Sequence, residues 1–153
     1  MIQEGQKAPE FSAQDQQDKT VSLSDFRGKK LVIFFYPEDD TPTCTQQACN
    51  LRDNYAMLKE HGFEVVGVSP DPVEKHARYQ LKHQLPFTLL ADPDHRIIEA
   101  YGVWGEKNMY GRKYMGLLRT TFVVNEEGEV IHVFRKPKVK QHAEEIIAKT
   151  SGK

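Results

Sequence analysis

The sequence predicts an α/β fold built on a sheet of mixed direction, and three observations lead there. Two apolar runs rich in β-formers, residues 31–36 and 63–69, are each followed by a segment with helical start signals. Near the end, two further apolar runs flank the turn residues Glu126, Glu127 and Gly128 and read as a hairpin. A closing helix follows. Strands that alternate with helices and then finish in a hairpin imply a central sheet with helices packed on it. A chain of 153 residues suits one compact domain, 1–153, with a substantial core.

Each element has its own signal. Residues 21–28 read as a short strand and a turn ending at Gly28. Residues 31–36 are apolar without interruption, which suits a buried strand. Residues 41–60 read as one helix. Thr41 is its expected N-cap, with a hydroxyl placed to accept a bond from a first-turn amide. Pro42 fits the first helical position, where a missing N–H costs nothing. Residues 63–69 form a second apolar strand. Residues 72–83 read as a helix capped by Asp71, with Pro72 first. Residues 87–91 predict a short strand and 95–101 a short helix. The hairpin strands are 120–125 and 129–134, and 140–149 is the closing helix. No repeat, low-complexity tract or linker interrupts the chain.

Composition excludes several functions. A net charge of -1 with 28% charged residues gives a polyanion nothing to bind. The basic run from Arg135 to Lys140 is most simply a solvated face, so no nucleic-acid partner is expected. A mean hydropathy of -0.62 and short apolar runs predict no membrane span. The first seven residues lack the apolar centre of a signal peptide, so the expected compartment is the cytoplasm. A structural disulfide is disfavoured there, and two cysteines point to redox chemistry. The six histidines show no zinc spacing, and Gly102, Gly105, Gly111 and Gly116 lack that of a phosphate loop. No metal and no cofactor is expected.

Cys44 carries the chemistry. A cysteine at a helix start is, taken alone, most simply a small buried hydrophobe. Here it falls in the first turn, where free amides and the helix dipole stabilise an anionic sulfur. At about 100° per residue, Cys44, Ala48, Leu51, Tyr55 and Leu58 share the face that packs on the sheet. Cys49 lies about 140° away around the helix. Five residues of regular helix separate two Cα atoms by about 8.6 Å. A disulfide tolerates at most about 7 Å. A bond between Cys44 and Cys49 therefore requires the helix to unwind in part, which makes the pair redox-active rather than a static staple.

Pro37, Thr41 and Cys44 form the pattern Pro-x-x-x-Thr-x-x-Cys, with Cys49 five residues on. This resembles the active-site motif of the peroxiredoxins, and the cysteine spacing is similar to that of the bacterioferritin comigratory protein (PrxQ) branch. The likeness extends from Gly5–Phe11 through Val103–Lys107 and Arg119–Phe122 to the last helix. It implies a thioredoxin-like fold with an N-terminal β extension. It also implies a thiol-dependent peroxidase acting on hydrogen peroxide and organic hydroperoxides. In that reading Cys44 becomes a sulfenic acid, Cys49 resolves it to a disulfide, and thioredoxin, with glutaredoxin as the second choice, reduces the pair.

The resemblance makes Arg119 the catalytic arginine, where the bare residue would read as a surface ion pair. Arg119 also opens an expected central strand, where an unpaired charge is expensive to bury. Pro37 ends the strand before the motif and shields the sulfur from water. Thr41, Arg119 and the first-turn amides hold the peroxide oxygens. Thr43 stands where the branch commonly has glycine and narrows the approach to the sulfur. Gln47 stands where glutamate is frequent. Trp104 is a packing residue and a second candidate for the pocket wall. The route needs one chain only, so a monomer is expected. The alternatives from other classes are a peroxide-sensing protein and a chaperone-like binding module.

Overall fold

The computed structural model describes residues 1–150. The chain opens with a two-stranded antiparallel sheet, β1 (Ser12–Gln14) and β2 (Thr20–Ser22), and one 3-10 turn at Leu23–Phe26. This is the N-terminal β extension. The central sheet uses β3 (Lys30–Phe35), β4 (Phe63–Ser69), β5 (Thr88–Ala91), β8 (Thr120–Val124) and β9 (Val130–Phe134). Its order is β5-β4-β3-β8-β9. The β3–β4 and β4–β5 pairs are parallel, whereas β3–β8 and β8–β9 are antiparallel. The sheet is of mixed direction, as the alternation of elements predicts.

Five helices pack on it: α1 (Pro42–Asp53), α2 (Tyr55–Glu60), α3 (Val73–His83), α4 (Arg96–Tyr101) and α5 (His142–Thr150). Side chains of β3 alternate between two cores. Leu31, Ile33 and Phe35 meet Phe122, Val124 and the apolar side of α4. Val32, Phe34 and Tyr36 meet Cys44, Ala48, Leu51, Leu58, Tyr79 and Ile146 from the other helices. Each such large side chain, fully buried, contributes about 1.5–3 kcal/mol of transfer free energy.

The structure corrects four local expectations. The helix expected over 41–60 breaks at Asn54, which has φ -111° and ψ 14°. Asn54 Nδ2 donates to the Asn50 carbonyl at 2.8 Å and competes with the helical ladder there. Thr41 has the extended backbone of an N-cap, but its hydroxyl does not cap. It turns back and donates to the Glu38 carbonyl at 2.9 Å. Asp71 is not the cap of α3; that position is Pro72. The Asp71 carboxylate instead faces inward to Ser69 Oγ and the Asp39 amide, both at 2.7 Å. Finally, residues 104–117 form a hairpin that the sequence reading leaves unassigned. Its strands are β6 (Trp104–Met109) and β7 (Arg112–Leu117). Tyr110 and Gly111, at φ 53° and 79°, make the left-handed turn between them.

Candidate active site

The register of the central sheet builds the site. Phe35, the last residue of β3, pairs with Thr120, the first of β8. Tyr36 and Pro37 therefore leave the sheet beside the point where Arg119 enters it. Tyr36 N donates to Val68 O at 3.1 Å, and Pro37 cannot extend the ladder because it has no N–H. The chain then turns through Asp40, at φ 63°, into α1. Pro42 takes the first helical position, so Cys44 falls in the first turn, as the sequence predicts.

Cys44 is 2% exposed and Cys49 is partly exposed, and both thiols are free. Arg119 Nη2 donates to Cys44 Sγ at 3.2 Å. Arg119 Nη1 donates to Gln47 Oε1 at 2.8 Å. A guanidinium has only donors, so the Gln47 carbonyl must face it and the Gln47 amide nitrogen must point elsewhere. That nitrogen is buried and has no hydrogen-bond partner among the described residues. Arg119 thus bridges two positions on one face of α1, a turn apart. No side chain caps the first turn of α1, which leaves its amides free to meet an anion.

The other sequence-predicted residues spread around this contact. Thr41 sits at the start of α1, with its hydroxyl on Glu38 O. Pro37 is half-buried and Thr43 is exposed on the first turn. Trp104 is 38% exposed, and its ring packs on His95 with centroids 4.7 Å apart. That contact fits the packing role; by strand alternation Trp104 lies on the opposite face of β6 from Lys107.

Two neighbours escaped the sequence reading. Tyr79 of α3 donates to Thr45 Oγ1 at 3.2 Å, and burial first of all pushes its phenol well above the usual range. Lys107 is half-buried on the hairpin. Burial, and then the Arg119 charge, pull its ammonium below the ordinary value, while Cys44 acts in the opposite sense. Lys107 already stood inside the Val103–Lys107 stretch of the resemblance, but nothing in its spacing linked it to Cys44.

Among the described residues, Asp39, Asp71 and His76 are the group whose ligand atoms lie close enough to hold a metal ion, all within 4.8 Å. Those atoms already carry hydrogen bonds: Asp39 to Tyr36 and His76, Asp71 to Ser69 and the Asp39 amide. The arrangement is that of a proton-sharing network.

A buried thiol at an uncapped helix start, held by an arginine, is a site for sulfur chemistry. The AhpC/TSA family matches residues 4–133. The chain belongs to that family. It is 52% identical to the putative peroxiredoxin bcp of Haemophilus influenzae over 143 residues, 94% of this chain and 92% of that one. It is 45% identical to peroxiredoxin Bcp of Bacillus subtilis over 146 residues, 95% and 93% of the two chains. Among solved structures it is similar to peroxiredoxin Q of Xanthomonas campestris. There the TM-score is 0.85 at 34% identity, covering 91% of this chain and 88% of that one. The protein is accordingly a peroxiredoxin of the Bcp/PrxQ kind, a peroxidase with the thioredoxin-like fold. Membership implies a peroxide substrate and a thioredoxin-type reductant. No helix among the described residues is long and apolar enough to cross a membrane.

Proposed function

We propose that Cys44 is the peroxide-attacking sulfur of this peroxiredoxin and Cys49 the thiol that resolves it. The contact that supports this reading is the 3.2 Å bond from Arg119 to the buried Cys44 sulfur at the uncapped start of α1. A cation that donates to sulfur, together with free helix amides, favours the thiolate form that acts as nucleophile.

The steps follow from these groups. Cys44 Sγ attacks the terminal oxygen of ROOH, the O–O bond breaks, and the leaving alkoxide takes up a proton to depart as ROH. Sulfur is oxidised to sulfenic acid. Arg119 and the first-turn amides stabilise the charge that develops on the leaving oxygen, while Thr41 Oγ1, whose proton goes to the Glu38 carbonyl, accepts from the peroxide O–H. Pro37 keeps water from the sulfur. Cys49 sulfur then attacks the sulfenic sulfur, water leaves, and a disulfide forms within the chain. A dithiol protein reduces it by exchange. Thioredoxin is the proposed reductant, hydrogen peroxide and organic hydroperoxides the substrates, and a cytoplasmic monomer the working unit.

The test is a thiol count and an intact mass after one equivalent of hydrogen peroxide. Loss of both thiols in a monomer, with only the two hydrogens of disulfide formation missing from the mass, is expected. A disulfide found only between chains would overturn the intramolecular route. Steady peroxide consumption with thioredoxin separates this enzyme from a slow peroxide sensor.

A further inference from the structure

We propose that Asp39 and His76 form a buried clamp that positions the start of α1 for peroxide attack and stays closed when the helix unwinds. The proposal rests on Cys44 being the attacking sulfur and goes on to name what holds it in place.

Both residues are shielded from water: Asp39 is 2% exposed and His76 is 0%. His76 Nε2 lies 3.0 Å from the Leu90 carbonyl, which can only accept, so Nε2 carries a hydrogen. His76 Nδ1 lies 2.6 Å from Asp39 Oδ2, a separation that requires a proton between them. The pair therefore shares one proton and is net neutral, which a buried site tolerates far better than a lone carboxylate. The remaining atoms of Asp39 are also engaged. Tyr36 donates its phenol to Oδ1 at 2.6 Å, and the Asp39 amide donates to Asp71 Oδ2 at 2.7 Å. Burial, and then Asp39, push the Tyr36 phenol well above its ordinary range, so it remains a donor. Asp71 is itself held by Ser69 Oγ at 2.7 Å and by Lys75 Nζ at 3.2 Å.

One residue of the segment before α1 is thus tied to β3, to the residues after β4, to α3 and, through His76, to β5. The next residue, Asp40, has the left-handed φ of 63°, is exposed, and holds Lys82 at 2.9 Å. A fixed point followed at once by a change of backbone direction is a pivot. Downstream of it, the first turn of α1 is joined to the β8 side by the Arg119 contacts. The hydrogen bonds of Asp39 and His76 go to Tyr36, Asp71, Leu90 and each other, not to the Cys44 sulfur, so Asp39 and His76 are positioning residues.

The experiment separates the two chemical steps in stopped flow, attack by peroxide and closure of the disulfide, in Asp39→Ala, Asp39→Asn and Tyr36→Phe. Asp39→Ala should slow attack at least tenfold and leave disulfide closure unchanged or faster. Its yield of sulfinic acid per turnover should fall. Asn at position 39 can accept from Tyr36 and donate to a neutral His76, so Asp39→Asn should restore attack to within about threefold of the parent protein. Tyr36→Phe should shift the balance in the direction of Asp39→Ala but less, and it serves if Asp39→Ala does not fold. Val130→Ala, a core truncation on β9 in the core on the other face of the sheet from α1, controls for lost stability and should leave the ratio of the two rates unchanged. The clamp is overturned if attack is unaffected in both Asp39→Ala and Tyr36→Phe. It is equally overturned if Val130→Ala shifts the ratio as they do. Peroxide turnover that persists in Cys44→Ser would instead refute the assignment of the nucleophile, which distinguishes the two failures.

Discussion

The two sulfurs of α1 sit in opposite surroundings. Around Cys44 the helix is buried and bonded to a distant strand through Arg119, and its amides lack a side-chain cap. Around Cys49 it is partly exposed and tied to its neighbours by side chains. Asn50 donates to Lys140 O and Glu144 Oε1, both at 3.0 Å, and accepts from Ala143 N at 2.8 Å. Arg52 reaches His83 O at 2.8 Å. One turn thus holds the proposed nucleophile, and the next is attached to α3 and α5. Neither is sealed into the sheet as β3 and β8 are, so the helix can open while the strands persist.

The sharpest way to break this comparison is to remove the proposed nucleophile. Cys44→Ser should abolish peroxidase turnover, because a serine hydroxyl is not ionised at neutral pH; coupled NADPH oxidation with thioredoxin and its reductase measures this. Cys49→Ser should keep the first step, consuming roughly one equivalent of peroxide per chain, and then stall with thioredoxin. Its Cys44 should reach sulfinic acid more readily, visible as added oxygen mass. Unchanged steady-state turnover would show that the Cys49 turn plays no redox part.

Arg119→Met tests the bond that distinguishes the Cys44 turn. By analogy with lost oxyanion donors, attack should slow about 10²–10³-fold, read as the second-order rate of peroxide consumption. An identical rate would remove Arg119 from the site. Asn50→Ala acts on the other turn. Loss of its three bonds, two to α5 and one to Lys140 just before it, should cost about 1–3 kcal/mol in denaturant unfolding, with faster closure of the disulfide. The smallest effect is dynamic. Amide exchange over residues 43–52 should rise in the disulfide form, while β3, β4 and β8 stay protected. Equal exchange in both redox states would mean that the disulfide closes without unwinding.

Much of this is legible in the sequence. The strands of the central sheet are mostly apolar, and a helix start after Thr41 follows from Thr41 and Pro42 together. Their signals are local, because burial on both faces and a proline at the first helical position leave marks within a few residues. The hairpin at 104–117 leaves no such mark. It is mostly exposed on both faces, so no period-2 alternation of polarity records it. The Tyr110-Gly111 turn, with Asn108 Oδ1 accepting from the Gly111 amide at 3.0 Å, was the available clue. The Asn54 break was hidden too, since a side chain competing for a carbonyl does not change the hydrophobic period.

By itself, then, the sequence determined a mixed α/β fold and a cysteine in a helix's first turn with a second five residues on. Spacing along one helix sets their separation and hence the need to unwind. Only the tertiary structure decided what meets Cys44. Arg119 is 75 residues away, and it arrives through the pairing of Phe35 with Thr120, a register no local pattern encodes. The direction of the Thr41 hydroxyl and the burial of Asp39 against His76 were decided in the same way. A polar side chain takes whichever partner the packed strands and helices bring within hydrogen-bond reach, and that choice exists only once the chain is folded.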